Sequence, residues 1–222
     1  MSFSKEWEKK YQDNLHLSVW PWTDLVSYVL RYSKPQKTVT FNVLELGVGA
    51  GANIPFFLAL GVNYYGIDGS PTIVKELHNR FPTIQNQIVV GDFTENLVFD
   101  VDFDLVVDRA ALTHNTTDSI INSLKLIHDR MKVGGGFIGI DWFSINHSDF
   151  VHGESFSDNN TCELNVGHLS GLGNVHFSSH EHMLELFHAF DVQVLEEKLV
   201  NRIMPVENAV FASWNVYAKK QL

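Results

Sequence analysis

The stretch Val43-Leu44-Glu45-Leu46-Gly47-Val48-Gly49-Ala50-Gly51 decides the fold. A short apolar strand over 42–47 runs into a glycine-rich turn, and residues 53–60 continue as a helix in which Pro55 is tolerated because it lies in the first turn. Glycines let a backbone turn sharply and approach a ligand closely, and a helix N-terminus offers unpaired N–H groups. Outward from this unit, strands and helices alternate. A strand over 63–68 precedes a helix over 70–80 that opens with Ser70 as cap and Pro71 in the first turn. Strands follow over 87–91 and 103–108. The helix over 117–131 carries Ile120, Leu124, Ile127 and Met131 on one stripe, and Gly134-Gly135-Gly136 turns into a fifth strand over 137–142. The alternation predicts an α/β fold, with a mostly parallel sheet covered by helices on both faces.

The flanks read differently. Residues 4–14 form an amphipathic helix with Trp7 and Tyr11 one turn apart. After a break at Trp20-Pro21-Trp22, Thr23 caps a second helix that Pro35 ends. Residues 144–178 are polar, glycine-bearing and rich in histidine, and so long a connection in a compact domain is usually functional. A helix over 181–190 and strands over 192–199 and 210–219 complete the chain. Its 222 residues, 45% of them hydrophobic, suit one domain over 1–222. Within it, 1–38 is expected to act as a helical lid and 144–178 as an insertion on the substrate side.

Sixteen basic residues against 26 acidic ones give a formal charge of −10. Nucleic-acid binders neutralise phosphates with clustered Lys and Arg, so this balance argues against DNA or RNA as partner. No apolar run is long enough to span a bilayer. The N-terminus lacks an apolar signal core, which makes the cytoplasm the default location. The single cysteine, Cys162, has no partner for an internal disulfide and reads as an ordinary loop thiol.

The glycine loop alone does not name a ligand, because Gly47, Gly49 and Ala52 also satisfy the loose dinucleotide pattern. Three acidic features narrow the choice. Glu45 sits inside an apolar strand, where a carboxylate needs a cationic or hydrogen-bonding partner. Asp68 ends the second strand about twenty residues past the loop, where a carboxylate can accept from ribose hydroxyls or cap the next helix. Gly91-Asp92-Phe93 ends the third strand, with an acceptor for an exocyclic amine and a ring to lie against a base.

With these pieces in order, the sequence resembles the class I S-adenosylmethionine (SAM)-dependent methyltransferases, closest to bacterial small-molecule enzymes. The matching segments are Leu44 to Gly51, Tyr65-Gly66-Ile67-Asp68-Gly69-Ser70, Val90-Gly91-Asp92-Phe93, Phe103 to Asp108, and 126–142. The resemblance implies a Rossmann-like seven-stranded sheet with an antiparallel last strand. It implies that Glu45 and the loop from Gly47 through Val48 and Gly49 to Gly51 meet the methionine part of SAM. Asp68 would hold the ribose, and Asp92 with Phe93 the adenine. Asn53, Gly69, Ser70, Asp108 and Arg109 complete the expected cofactor set.

Ligands of open α/β sheets bind beyond the carboxyl ends of the strands. The fourth strand delivers Asp108-Arg109-Ala110-Ala111-Leu112-Thr113-His114-Asn115 there, and the fifth Asp141-Trp142-Phe143. Two roles stand open for His114: a general base that takes a hydroxyl proton, or a structural histidine that caps the following helix or hydrogen-bonds a carbonyl. Asp141 is the alternative base. Arg109 would hold an acidic substrate or pair with Asp108 or Asp141. Trp142 and Phe143 are expected at the substrate pocket. Phe150, Phe156 and Phe177 with Trp142 read equally as a pocket wall or lid and as ordinary packing, and Trp20 and Trp22 equally as a lid and as core packing. His147, Asp149, His152, Glu154, His168 and His176 could hold a divalent metal as in a subset of O-methyltransferases. A solvated polar loop is the preferred account, and no metal is assigned. The Asn/Asp-Pro-Pro-aromatic segment of nucleic-acid and glutamine amino-methyltransferases is replaced by Asp108-Arg109-Ala110-Ala111. The expected reaction is methyl transfer to a small-molecule hydroxyl, of a saccharide by fold-level analogy. Transfer to an amine comes next, and a non-catalytic SAM-binding protein or an NAD-dependent oxidoreductase after it. The oligomeric state is not legible in the sequence.

Overall fold

A computed structural model describes residues 5–13, 15, 17–35, 40–153 and 156–221. Its central sheet has seven strands in the order β3-β2-β1-β4-β5-β9-β8. These are β1 (Asn42–Leu46), β2 (Asn63–Asp68), β3 (Ile88–Val90), β4 (Phe103–Arg109), β5 (Met131–Phe143), β8 (Phe190–Asn201) and β9 (Val210–Lys220). Strands β1 to β5 pair in parallel, and β9 runs antiparallel between β5 and β8. This is the Rossmann-like methyltransferase arrangement that the sequence predicts. Residues Thr161–Cys162 (β6) and Val175–His176 (β7) form a separate small ladder.

Side chains alternate across each strand, so every buried strand feeds two cores. On one face, Leu44, Leu46, Val106, Phe137 and Trp142 pack under α5 (Thr117–Arg130) and α6 (His180–Leu186). On the other, Val43, Leu105, Val107 and Ile138 pack under α2 (Thr23–Tyr28), α3 (Ile54–Leu60) and α4 (Pro71–Arg80). The helix α1 (Lys5–Gln12) crosses the start of α4. There Glu8 accepts hydrogen bonds from the hydroxyls of Ser70 and Thr72. Ser70 also caps α4 by accepting from Ile73 N at 3.1 Å.

Several elements depart from the sequence reading. Trp22, not Thr23, occupies the N-cap position of α2, and the helix continues as a π turn over Val29–Ser33. The helix expected over 181–190 ends at Leu186, because Phe187 leaves helical geometry and Phe190 already opens β8. The larger departure concerns 144–178, which is no solvated loop. Cys162, Leu164, Leu169, Leu172, Val175 and Phe177 form a third core against Ala110 and Phe143. His147, Asp149 and His176 lie inside this substructure, each under 4% exposed. Asp149 accepts from Leu169 N at 2.8 Å, and His176 pairs with Thr161 and with His182. Glu154 falls outside the described residues, and among those described no three metal-ligating side chains cluster.

Candidate active site

Strands β1, β2, β3, β4 and β5 all end at one edge of the sheet, and a cavity of about 420 Å³ opens there. That volume lies in the range of small-ligand pockets, about 300–1,000 Å³. Its floor is the glycine loop. Gly47, Gly49 and Gly51 adopt φ of 62°, 53° and 76°, the left-handed region that L side chains avoid. A Cβ on Gly47 would lie 2.3 Å from that of Ala111. Gly51 stands behind the loop, where a Cβ would strike Leu77 at 2.5 Å, so its role is packing against α4 rather than lining the cavity.

Val43 and Glu45 share one face of β1, and at the strand's end Glu45 reaches the cavity while only 2% exposed. Its two oxygens accept from Asn53 Nδ2 at 2.7 Å and from the Tyr64 hydroxyl at 2.6 Å. Burial pushes its carboxyl up to about 7 despite these two donors. Both partners are neutral, so an anion here still has a net charge to match. Asn53 and Val48 also line the cavity.

Asp68 ties the loop to β2 by accepting from Gly49 N at 2.8 Å and Ser70 N at 2.9 Å. Burial raises it to about 6. Each of its oxygens has a second lone pair, which leaves capacity for further donors. Gly69 follows it into the wall, whereas Ser70 is committed to the α4 cap and to Glu8 and does not line the cavity. Asp92 accepts from Thr94 N and Thr94 Oγ1 at 3.0 and 2.6 Å. Phe93, 9% exposed, belongs both to the cavity wall and to the core beneath.

Asp108 is placed elsewhere than expected. It is fully buried and takes three donors: Ala111 N, Leu112 N and the indole Nε1 of Trp142, at 3.2, 3.0 and 2.7 Å. It organises the turn after β4 and faces away from the cavity, with burial raising it to about 7. Trp142 is correspondingly a core residue, fully buried between Phe137 and Phe187, and does not form a pocket wall. A register shift in β5 between Gly139 and Trp142 separates its orientation from that of Asp141 and Phe143, which do line the cavity.

Arg109 lies over the Trp22 ring, 3.6 Å from its centroid, and donates to Asp141 Oδ2 at 3.0 Å. Lys198 donates to Asp141 Oδ1 at 2.9 Å and to Asp24 at 2.6 Å. With a cation on each oxygen, Asp141 is a counter-ion rather than a base. Trp20, 78% exposed, lies outside the cavity wall, so Trp22 alone of the two expected lid indoles meets it.

His114 lines the cavity. Its Nδ1 lies 2.9 Å from the carbonyl oxygen of Asn174. A carbonyl only accepts, so Nδ1 carries the proton and a neutral His114 has its basic lone pair on Nε2. Trp7 and Phe143 meet the imidazole edge-on, at 5.2 and 6.0 Å. The cap of α5 is Thr116, so His114 has no capping role there. The remaining wall is built from His168, which the sequence offered only as a metal ligand, and from residues it did not select for the site: Tyr11 and Leu17 before α2, Leu169 and Leu172 from 144–178, and Phe211 of β9. Phe150, Phe156 and Phe177, for which a pocket wall and ordinary packing both stood open, do not line the cavity. Phe177 is buried in the third core beside Phe150, and Phe156 is 55% exposed to solvent.

Gly49's open backbone, the buried anion beneath it and the Asp68, Asp92 and Phe93 edge fit a nucleoside carrying a cationic amino-acid tail. The comparisons agree. Residues 43–135 match the model of a methyltransferase domain family. No curated protein matches the sequence. Among solved structures, a SAM-dependent methyltransferase from Methanosarcina mazei superposes with a TM-score of 0.68 at 15% identity, covering 91% of this chain and 99% of that one. A SAM-dependent methyltransferase from Clostridium acetobutylicum gives 0.63 at 15% identity over 97% and 96%. The 1,6-didemethyltoxoflavin-N1-methyltransferase of Burkholderia thailandensis, solved with that compound and S-adenosylhomocysteine, gives 0.63 at 20% identity over 96% and 85%. With the glycine loop and its acidic partners in the matched segment, residues 43–135 carry the pattern of a methyltransferase domain, and the sheet order is that of the class I SAM-dependent methyltransferase fold.

Proposed function

We propose that this enzyme methylates a hydroxyl oxygen of a small-molecule acceptor, with His114 as general base. The observation that carries the reading is the Asn174 carbonyl on His114 Nδ1, which fixes the tautomer whose Nε2 can take a proton. When bound, SAM supplies a methyl group on a sulfonium, so that forming the C–O bond leaves the C–S electron pair on a neutral thioether. The protein's part is largely placement. Glu45 and Asn53 would meet the methionine ammonium, Asp68 the ribose and Asp92 the adenine amine. Trp7, Leu17 and Trp22, together with Leu169 and Leu172, would close the acceptor end and exclude water. His114 would hold the acceptor proton and return it to solvent.

A small acceptor is supported by the enclosed cavity and by the charge of −10. The Burkholderia thailandensis relative acts on a small molecule as well. The test is transfer of labelled methyl from SAM to a metabolite extract, followed by chemical assignment of the methylated atom. Label on oxygen, lost in His114→Ala, is the expected result. Label on nitrogen or carbon, or an undiminished rate in that variant, would remove His114 from this role.

A further inference from the structure

We infer that the acceptor is a planar hydroxy-arene or hydroxy-heteroarene rather than a saccharide. This rests on the methyltransferase reading with His114 as base, and it adds the class of molecule that the acceptor end takes. The ring contacts of His114 within the cavity are aromatic: Trp7 from α1 and Phe143 from β5. Phe211 extends that wall, 6.3 Å from Phe143. Leu169 and Leu172 close it from the third core.

Two of the polar side chains that line this end, Asp141 and Asn115, are already engaged. Asp141 is held by Arg109, Lys198 and Ser213. Asn115 directs its amide to the carbonyls of Ala111 and Leu112. A saccharide would bring several hydroxyls into this wall, and each one left without a partner weakens binding. A flat ring with one hydroxyl matches the wall and needs a single polar contact, at His114.

Acidity points the same way. An imidazole titrates near 6.5 and a phenol near 10, a gap of about 3.5 units. An aliphatic hydroxyl resembles water and is far less acidic than a phenol, so the gap is much wider. Imidazole is therefore far better matched to a phenolic proton.

The experiment measures binding to the protein saturated with S-adenosylhomocysteine, whose own affinity is measured first. The probes are 2-naphthol, 7-hydroxycoumarin and methyl β-D-glucopyranoside, followed by equilibrium dialysis. At least one of the aromatic probes is expected to bind with Kd below about 1 mM and the glucoside at least tenfold more weakly. In Trp7→Ala the bound aromatic probe should lose fivefold or more, with S-adenosylhomocysteine affinity held within twofold. Failure of both aromatic probes at their solubility limits, tighter glucoside binding, or indifference to both Trp7→Ala and Phe211→Ala would overturn the inference while the methyltransferase stands. Failure to bind S-adenosylhomocysteine would instead strike the reading on which it rests.

Discussion

Glu45 and Asn53, eight residues apart on either side of the glycine loop, share a buried hydrogen bond of 2.7 Å. Asn53 Oδ1 accepts from Trp22 N at 3.2 Å, so one side-chain amide connects the buried anion to the segment that covers the cavity. This bond converts a costly strand position into a prepared one: the carboxylate is oriented and partly satisfied before any ligand arrives.

Asn53→Ala removes both bonds and leaves Glu45 with Tyr64 alone. A lost donor to a buried acceptor costs about 1–3 kcal/mol. Urea denaturation should show a lower midpoint with an unchanged slope. SAM affinity should also fall, several-fold, because the carboxylate is no longer held. An unaltered midpoint would mean that the bond contributes nothing to the fold.

Glu45 also couples binding to protons. Its carboxyl is raised from 4.5 to about 7, because burial disfavours the charged form. The folded state therefore holds this proton more tightly than the unfolded chain. Its contribution to stability is complete below about 4.5 and is lost as pH rises through about 7. In the ligand-free protein, stability should accordingly decline from pH 5 to pH 8, less steeply in Glu45→Gln. A cationic ligand reverses the preference and expels the proton. Calorimetric titration with SAM at pH 6.5 should release a fraction of a proton, visible as different heats in phosphate and Tris. Glu45→Gln should abolish the difference.

Asp68→Ala is expected to weaken SAM binding more than tenfold, because the ribose hydroxyls lose their acceptor and the loop loses the tie at Gly49 N. Asp68→Asn keeps one acceptor oxygen and should be milder. Isothermal titration distinguishes them, and equal affinities across wild type and both variants would place the ribose elsewhere.

The sheet was legible because its signals are periodic. The apolar strand before Gly47 and the stripe Ile120, Leu124, Ile127 each repeat at the spacing of their element, and both lie within a residue or two of the observed bounds. The third core was not, because Cys162, Leu164, Leu169, Leu172, Val175 and Phe177 follow neither period. They lie in a segment whose composition is polar, in which buried His176 pairs with Thr161 and His182 and buried His147 accepts from Asp149 N. Trp142 failed for another reason. Its direction depends on the register shift before it and on Asp141, whose φ of 58° breaks the strand's alternation. Nothing in Ile140-Asp141-Trp142-Phe143 announces that turn. Around the cofactor half, Glu45 and Asp68 were legible as carboxylates in places where burial demands a reason.

Trp142→Phe tests that correction. The change keeps a ring between Phe137 and Phe187 but removes the indole donor from Asp108, a buried carboxyl with two remaining backbone donors. Stability should fall by about 1–3 kcal/mol. S-adenosylhomocysteine affinity and acceptor KM should stay within about twofold. A selective rise in acceptor KM, with stability intact, would return Trp142 to the pocket.

His114→Ala is expected to lower kcat by about 100-fold or more, because general-base catalysis contributes about 10²–10⁴-fold. SAM affinity should hold, since none of the hydrogen bonds that prepare Glu45 and Asp68 comes from His114. The loss also has a structural explanation to be excluded: without the ring, the bond to Asn174 O disappears and the third core could shift against β4. His114→Gln addresses this. An amide can still donate to the Asn174 carbonyl yet lacks a basic nitrogen, so it should restore the Tm while leaving kcat low. Added imidazole should recover part of the rate in His114→Ala, where the space is open, and less in His114→Gln, where it is filled. The acid limb of the kcat–pH profile, which reports protonation of the base in the bound complex, should vanish in both. If His114→Gln instead recovers full turnover, the histidine is a brace for the third core and the acceptor loses its proton to another group.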